Sequence, residues 1–212
     1  MFKSILCLNG ILPNKDIIQK FIQKKLPIIA ADGAANTLKN LNIIPSTIIG
    51  DLDSIDKNLD FENAQIIHVQ DQNYTDFEKC LNYIRKHTLF PTLVLGINGG
   101  EIDHVIDNIN KFIKYSAHIP MVFFDMPNKW GITIDKNLSM NSKRSNTISI
   151  FPFIPNTHIK SEGLHWELDS TDHHIFKNTS TRNKAEKQKI NINSSDEKVL
   201  VVTESDTMPF EI

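Results

Sequence analysis

Ile48-Ile49-Gly50-Asp51-Leu52-Asp53-Ser54 decides how the N-terminal half of this chain is read. An apolar run stops at a glycine, and two carboxylates follow it two residues apart. Short apolar runs of the same kind recur at Ile5 to Leu8, Ile28 to Ala31, Thr47 to Ile49, Ile66 to Val69, Leu93 to Leu95 and Met121 to Phe124, each ending beside Gly, Asp or Asn. Between them Lys15 to Lys25, Ala34 to Asn40, Thr75 to His87 and Asp103 to Ser116 space their apolar residues three and four apart, as helices packed on a sheet do. Strands alternating with amphipathic helices predict an α/β unit with a mostly parallel sheet. Ligands of such sheets bind beyond the carboxyl ends of the strands, which makes the residues just after each run the candidates for function.

Past Pro127 the texture changes. Asn146 to Phe151, His158 to Lys160, Lys189 to Ile192 and Lys198 to Val202 read as short strands separated by Asn, Ser, Asp and Gly. This predicts a small all-β, sandwich-like domain over 128–212 after an α/β domain over 1–127. The polar stretch Asn178 to Lys189 reads as a solvated loop. A β unit this small gains from packing on a twin, so a homodimer is expected.

Composition narrows the partners. The 212 residues carry 23 basic and 25 acidic side chains, a formal net charge of -2, with none of the basic excess that binding to nucleic acid exploits. No apolar segment approaches the ~20 residues of a membrane helix, and the opening Met1 to Gly10 reads as a first strand and turn rather than a signal segment. The two cysteines, Cys7 and Cys80, support neither a disulfide framework nor a zinc site. A reducing cytoplasm fits these features, with neither nucleic acid nor membrane as partner.

Four strand ends carry chemistry. Asp51 and Asp53 could share a magnesium ion with nucleotide phosphates, although a lone Asp-x-Asp is as readily a polar turn. After the next strand, Thr75 and Glu78 have the spacing of a capping box. Asp76 and Lys79 fall on the first helical turn there, where a carboxylate can hold a metal while the ammonium meets a phosphate. Gly96-Ile97-Asn98-Gly99-Gly100, leading into Asp103, His104, Asp107 and Asn108, opens a helix and can offer backbone N–H groups to a phosphate, with His104 placed to steer it. Its spacing is neither that of a P-loop nor that of a dinucleotide fingerprint. Ala31-Asp32-Gly33-Ala34-Ala35-Asn36 adds a carboxylate among small residues that leave room for a ligand or for close helix packing.

Taken together these strings resemble the thiamine pyrophosphokinase family over nearly the whole chain. The resemblance is carried by Ala31 to Asn36, by Ile44-Pro45 leading to Ile49 through Ile55, by Asp71-Gln72 with Thr75 through Lys79, and by Gly99-Gly100 with Asp103-His104, in the family's order. It implies a magnesium- and ATP-dependent transfer of pyrophosphate to thiamine by a homodimer, with an α/β nucleotide domain ahead of a β-sandwich. Asp51, Asp53 and Asp76 would surround the metal; Asp71 and Gln72 would line the same pocket, with Lys79 near the triphosphate. Asp32, Gly33, Asn36, Thr75, Gly99, Gly100, Asp103 and His104 would face the nucleotide. In the second domain Gly163-Leu164-His165-Trp166 resembles the family's Gly-Leu-x-aromatic strand, and Thr181-Arg182-Asn183 takes the place of a Ser-Asn pair that contacts thiamine. Two departures stand out: Glu101 where the family commonly has an arginine, and Arg182 where the serine is expected. A pyrophosphokinase for another heterocyclic alcohol, such as a pterin, and an inert nucleotide- or thiamine-binding protein are the competing readings.

Overall fold

The computed structural model describes residues 2–22, 25–61, 63–196 and 198–210. The chain forms two compact units, Met1–Pro127 and Asn128–Ile212.

In the first unit β1 (Ser4–Cys7), β2 (Ile28–Ala31), β3 (Thr47–Gly50), β4 (Gln65–His68), β5 (Thr92–Leu95) and β6 (Met121–Asp125) lie in the order β6-β5-β1-β2-β3-β4. Every neighbouring pair is parallel. The helices α1 (Lys15–Ile22), α2 (Ala34–Asn40), α3 (Asp76–Lys86) and α4 (Ile102–Ser116) make four of the five crossovers. The link from β3 to β4 has no helix among the described residues. The inner strands are buried at every position, as apolar runs covered on both faces should be, whereas β4 is the exposed edge. On α3 the residues Phe77, Cys80, Leu81 and Ile84 are buried at helical spacing, and on α4 Phe112 meets Phe123 of β6 edge to face at 5.2 Å. Helix α1 was expected to run on to Lys25; Gln23 and Lys24 lie outside the described residues.

The order of the strands fixes where a ligand can sit. From β1 the chain builds outward through β2, β3 and β4, then returns to the other side of β1 with β5 and β6. The reversal between β1 and β5 is a topological switch point, where the loops leaving two adjacent strands diverge and open a crevice.

The second unit holds two antiparallel sheets. One is ordered β12-β9-β14-β7, from β7 (Lys129–Ile134), β9 (Thr147–Pro152), β12 (Ser180–Lys184) and β14 (Val199–Glu204). The other is β11-β10-β13-β8, from β8 (Asn137–Asn141), β10 (Ile159–Glu162), β11 (Asp169–Ser170) and β13 (Lys189–Ser194). Alternate residues point inward, so Ile148 and Ile150 of β9 and Ile190 and Ile192 of β13 are fully buried while their neighbours are not.

The expectation of a solvated loop over Asn178 to Lys189 is corrected: Ser180–Lys184 is β12, paired with β9. Its sequence hides the strand because the inward positions are the polar Ser180 and Asn183, and because a register shift between them leaves Arg182 at φ 55°.

Candidate active site

A cavity of about 450 Å³ opens at the switch point of the first unit. One wall is the exit of β1, where Leu8, Asn9 and Gly10 run beside the glycine loop after β5. Leu8 N donates to Leu95 O at 2.9 Å and Ile11 N to Asn98 O at 2.7 Å. A Cβ on Gly10 would lie 2.3 Å from the carbonyl oxygens of both Gly96 and Asn98, so only glycine allows the two loops to touch backbone to backbone. Gly99 and Gly100 then bend into α4, whose first two turns bring Asp103, His104 and Asp107 to the cavity.

The floor is acidic. Asp32 follows β2 and is buried; its N–H donates to Ile49 O at 2.9 Å, which ties it to β3. Gly50 permits this seat, since a Cβ there would lie 2.7 Å from Asp32 Cβ. Asp32 Oδ2 accepts from Ser54 N at 3.3 Å, but Oδ1 has no hydrogen-bond partner. Burial, opposed by the Ser54 N–H and reinforced by Asp76, Asp51 and Asp53, pushes this carboxyl up to about 6. Asp51 differs: it accepts from Gln72 Nε2 at 2.8 Å and from Asp53 N at 3.4 Å, and those bonds hold it below the usual carboxylate range.

Oxygens of Asp32, Asp51 and Asp53 all lie within 4.8 Å of one another. Carboxylates gathered this closely, one of them buried with an unpaired oxygen, fit a hard divalent cation such as magnesium, which takes oxygen ligands and offsets their mutual repulsion. Asp76 lines the same cavity and its charge acts on Asp32, but it is not one of the three clustered carboxylates; its Oδ1 is bonded to Lys79 Nζ at 2.9 Å. The Lys79 side chain is 4% exposed and supplies the only ammonium or guanidinium group on the cavity wall among the described residues.

Helix α3 owes its start to the capping box read from the sequence. Thr75 Oγ1 accepts from Glu78 N at 3.4 Å and Thr75 N donates to Glu78 Oε2 at 3.2 Å. Glu78 does more than cap. Buried beneath α4, it accepts from Tyr115 Oη at 2.7 Å and meets Lys114 Nζ at 3.2 Å and Lys111 Nζ at 3.3 Å. Burial alone would raise its carboxyl; these partners and the Thr75 N–H outweigh it and hold the group at about 2. It thereby joins the helix carrying Asp76 and Lys79 to the one carrying Asp103 and His104.

Among the sequence candidates, Asp32, Asp51, Gln72, Thr75, Asp76, Lys79, Gly99, Gly100, Asp103 and His104 all line the cavity. Asp53 reaches it only through the carboxylate cluster. Gly33, Asn36 and Asp71 stand outside the lining, each with a local task. Gly33 leaves room for the Asn9 amide, and Asn36 bonds Ser54 O and Asp56 N, bracing the loop that carries Asp53. Exposed Asp71 folds over Asn73 N at 2.9 Å. Sequence reasoning missed Asn9, Gly10, Ser54 and Tyr74 of the wall, although Asn9-Gly10 follows a strand run and the strand-end rule applied to it as to the others.

In the second unit Trp166 is 56% exposed on the turn after Gly163, whereas Asn183 is buried and Thr181 is exposed with its hydroxyl 3.0 Å from that of Thr179. Arg182 N donates to Ser149 Oγ at 2.9 Å. Glu101 caps α4 without a side-chain bond to it.

Comparison with known proteins gives one answer across the chain. Residues 18–124 match the family described as thiamin pyrophosphokinase, catalytic domain, and residues 132–199 match thiamin pyrophosphokinase, vitamin B1 binding domain. Thiamin pyrophosphokinase 1 of Caenorhabditis elegans is 29% identical over 183 residues, covering 79% of this chain and 74% of that protein. Thiamine pyrophosphokinase 1 of Arabidopsis thaliana is 29% identical over 190 residues, covering 82% and 70%. The fold is that of the Bacillus subtilis thiamine pyrophosphokinase (TM-score 0.82, 18% identity, 97% of this chain and 100% of that one) and of the yeast enzyme (TM-score 0.81, 21% identity, 95% and 86%). No described helix is long and apolar enough to cross a membrane. With one family matched in both units and its fold shared end to end, the chain belongs to the thiamin pyrophosphokinase family.

Proposed function

We propose that this chain transfers a pyrophosphoryl group from ATP to the primary hydroxyl of thiamine, giving thiamine diphosphate and AMP, with magnesium as the required ion. The observation that carries the site assignment is the buried, unpaired Oδ1 of Asp32 beside Asp51 and Asp53 at the switch point.

The hydroxyl oxygen attacks the β-phosphorus in line, the bond from that phosphorus to the bridging oxygen breaks, and AMP leaves with the electron pair while the hydroxyl proton goes to water. Such transfers ask little covalent help of a protein, so positioning and charge neutralisation dominate. Asp51, Asp53 and Asp76, joined by Asp32, would hold the magnesium. When bound, that ion neutralises charge on the phosphate oxygens. Lys79, desolvated by its burial, offers its ammonium to the triphosphate, and Asp76 keeps it extended toward the cavity. The N-terminus of α4, where Glu101 makes no side-chain cap bond, receives a phosphate, with His104 beside it. Gln72 orients Asp51. Nucleotide and metal thus fall to residues 1–127.

Residues 128–212 take thiamine, for which the exposed indole of Trp166 is a stacking platform suited to a planar cation. Thr181 and Asn183 belong to the same thiamine region. A cytoplasmic homodimer completes the reading.

Purified protein incubated with thiamine, ATP and magnesium should yield thiamine diphosphate and AMP in equal amounts, separable by chromatography. Asp51→Asn should abolish both products, and Asp76→Asn should lower turnover at least ~100-fold, the scale of lost electrostatic catalysis. ADP with thiamine monophosphate would mean a simple kinase. No product with any nucleotide would favour another acceptor, such as a pterin, or an inert binding protein.

A further inference from the structure

We propose that Asn183 is a positioning residue that presents Trp166, and that it makes no contact of its own with the acceptor substrate. The inference rests on the reading of Trp166 as the stacking platform and deepens it.

A carboxamide has two N–H donors and two acceptor lone pairs. In Asn183 all four are engaged within the protein. Its Oδ1 accepts from Trp166 N at 3.1 Å and from Lys184 N at 2.8 Å, and its Nδ2 donates to Trp166 O at 2.7 Å and to Ser180 Oγ at 3.2 Å. The side chain is 3% exposed. Nothing is left over for a ligand, and two of the four bonds grip the backbone of one residue from both sides. That residue is the one whose indole stands in solvent.

The rest of the turn is held the same way. Glu167 Oε1 accepts from Gly163 N at 2.6 Å and from Leu164 N at 3.1 Å, and Oε2 accepts from Ser161 Oγ at 2.5 Å. His165 Nδ1 lies 2.7 Å from Glu186 Oε1, and its ring meets the indole edge to face at 4.5 Å. A large apolar side chain kept in solvent on a turn with this many bonds is set in place before a ligand arrives, so little ordering remains to be done on binding. The polar character of Asn183, which hides β12 in the sequence, has its use here.

The test is a double-mutant cycle on the full chain: wild type, Trp166→Ala, Asn183→Ala and the double variant, with thiamine KM, ATP KM and kcat measured for each. The expected result is a roughly 10-fold rise in thiamine KM for Asn183→Ala, with ATP KM and kcat unchanged, and a double variant no worse than Trp166→Ala alone. Acrylamide quenching of the exposed indole should rise in Asn183→Ala as its turn loosens. Should Asn183→Ala fail to fold, Asn183→Asp keeps the volume and both accepted bonds while losing the two donated ones, and the same cycle applies. Effects that multiply in the double variant would show that Asn183 touches the substrate directly and would overturn the proposal. If Trp166→Ala leaves thiamine KM unchanged, the platform reading itself fails and takes this inference with it.

Discussion

Replacing Glu78 by glutamine keeps the side-chain volume and removes one buried negative charge that Tyr115, the Thr75 N–H, Lys114 and Lys111 all address. The carboxyl binds its proton at about 2 in the folded chain against an ordinary value of 4.5. At about 1.4 kcal/mol for each tenfold change in proton affinity, its ionised form contributes on the order of 3 kcal/mol at neutral pH. Because the folded value is the depressed one, that contribution is complete above about pH 5, falls to roughly half by pH 3, and is nearly gone near pH 2. Glu78→Gln should therefore lose about 2–3 kcal/mol of stability at pH 7, allowing for the bonds that a carboxamide can still accept, with the gap to wild type about half closed by pH 3 and nearly closed at pH 2. Urea unfolding followed by circular dichroism at 222 nm can isolate the effect, since all four described α-helices fall between Lys15 and Ser116. Both tryptophans, Trp130 and Trp166, lie in the second unit, and their fluorescence serves as an internal control. An offset between variant and wild type that is equally large at pH 7 and pH 3 would refute the linkage argument.

Three further outcomes can be checked. Asp32→Asn should stabilise the metal-free protein by roughly 1–2 kcal/mol at pH 7.5, because the wild-type carboxylate is buried, repelled and half unpaired. A folded value raised to about 6 from 3.8 makes that gain absent below about pH 4, growing between pH 4 and pH 6 and complete above about pH 7, while calorimetric titration should show magnesium or manganese affinity lost. Gly50→Ala should displace Asp32 through the 2.7 Å contact with its Cβ, costing about 1–3 kcal/mol and weakening cation binding in the same titration. Gly100→Ala, at φ 78° with open space around the new methyl, should cost only about 1–2 kcal/mol of backbone strain in thermal unfolding and leave cation affinity unchanged.

The first unit was legible because its physics is written in contiguous residues. Strands buried on both faces have to be apolar throughout, so Ile28 to Ala31 and Met121 to Phe124 announce themselves, and Ala34 to Asn40 is a helix over the bounds its spacing gives. The second unit carries a weaker signal, since alternate residues face solvent and a strand such as β12 can turn polar ones inward. The site was legible as a set of strand ends and less so as a geometry. Nothing in the order of the residues tells that Asp32 meets Asp51 and Asp53 while Asp71 folds back on Asn73; that depends on how closely β2 and β3 approach, which Gly50 sets. Asn9 and Gly10 went unread because the contact that matters, with Gly96 and Asn98, spans some 90 residues of chain and is made by backbone alone.

Asp32 and Glu78 show how one fold assigns opposite tasks to the same functional group. Both are carboxylates almost wholly removed from water, and both touch the framework of one cavity. Glu78 is surrounded by donors and cations on two helices, and its charge stabilises the fold. Asp32 has one weak N–H donor, an oxygen without a hydrogen-bond partner and three carboxylates as neighbours, and its charge destabilises the fold. A buried acid that serves structure alone would be expected to gather partners as Glu78 does, since an unpaired polar atom costs about 1–3 kcal/mol. That Asp32 has not done so, in a seat that a glycine keeps open for it, is the reason to place the cation there, and the bonds of Glu78 on the neighbouring helices offset the repulsion that placement requires.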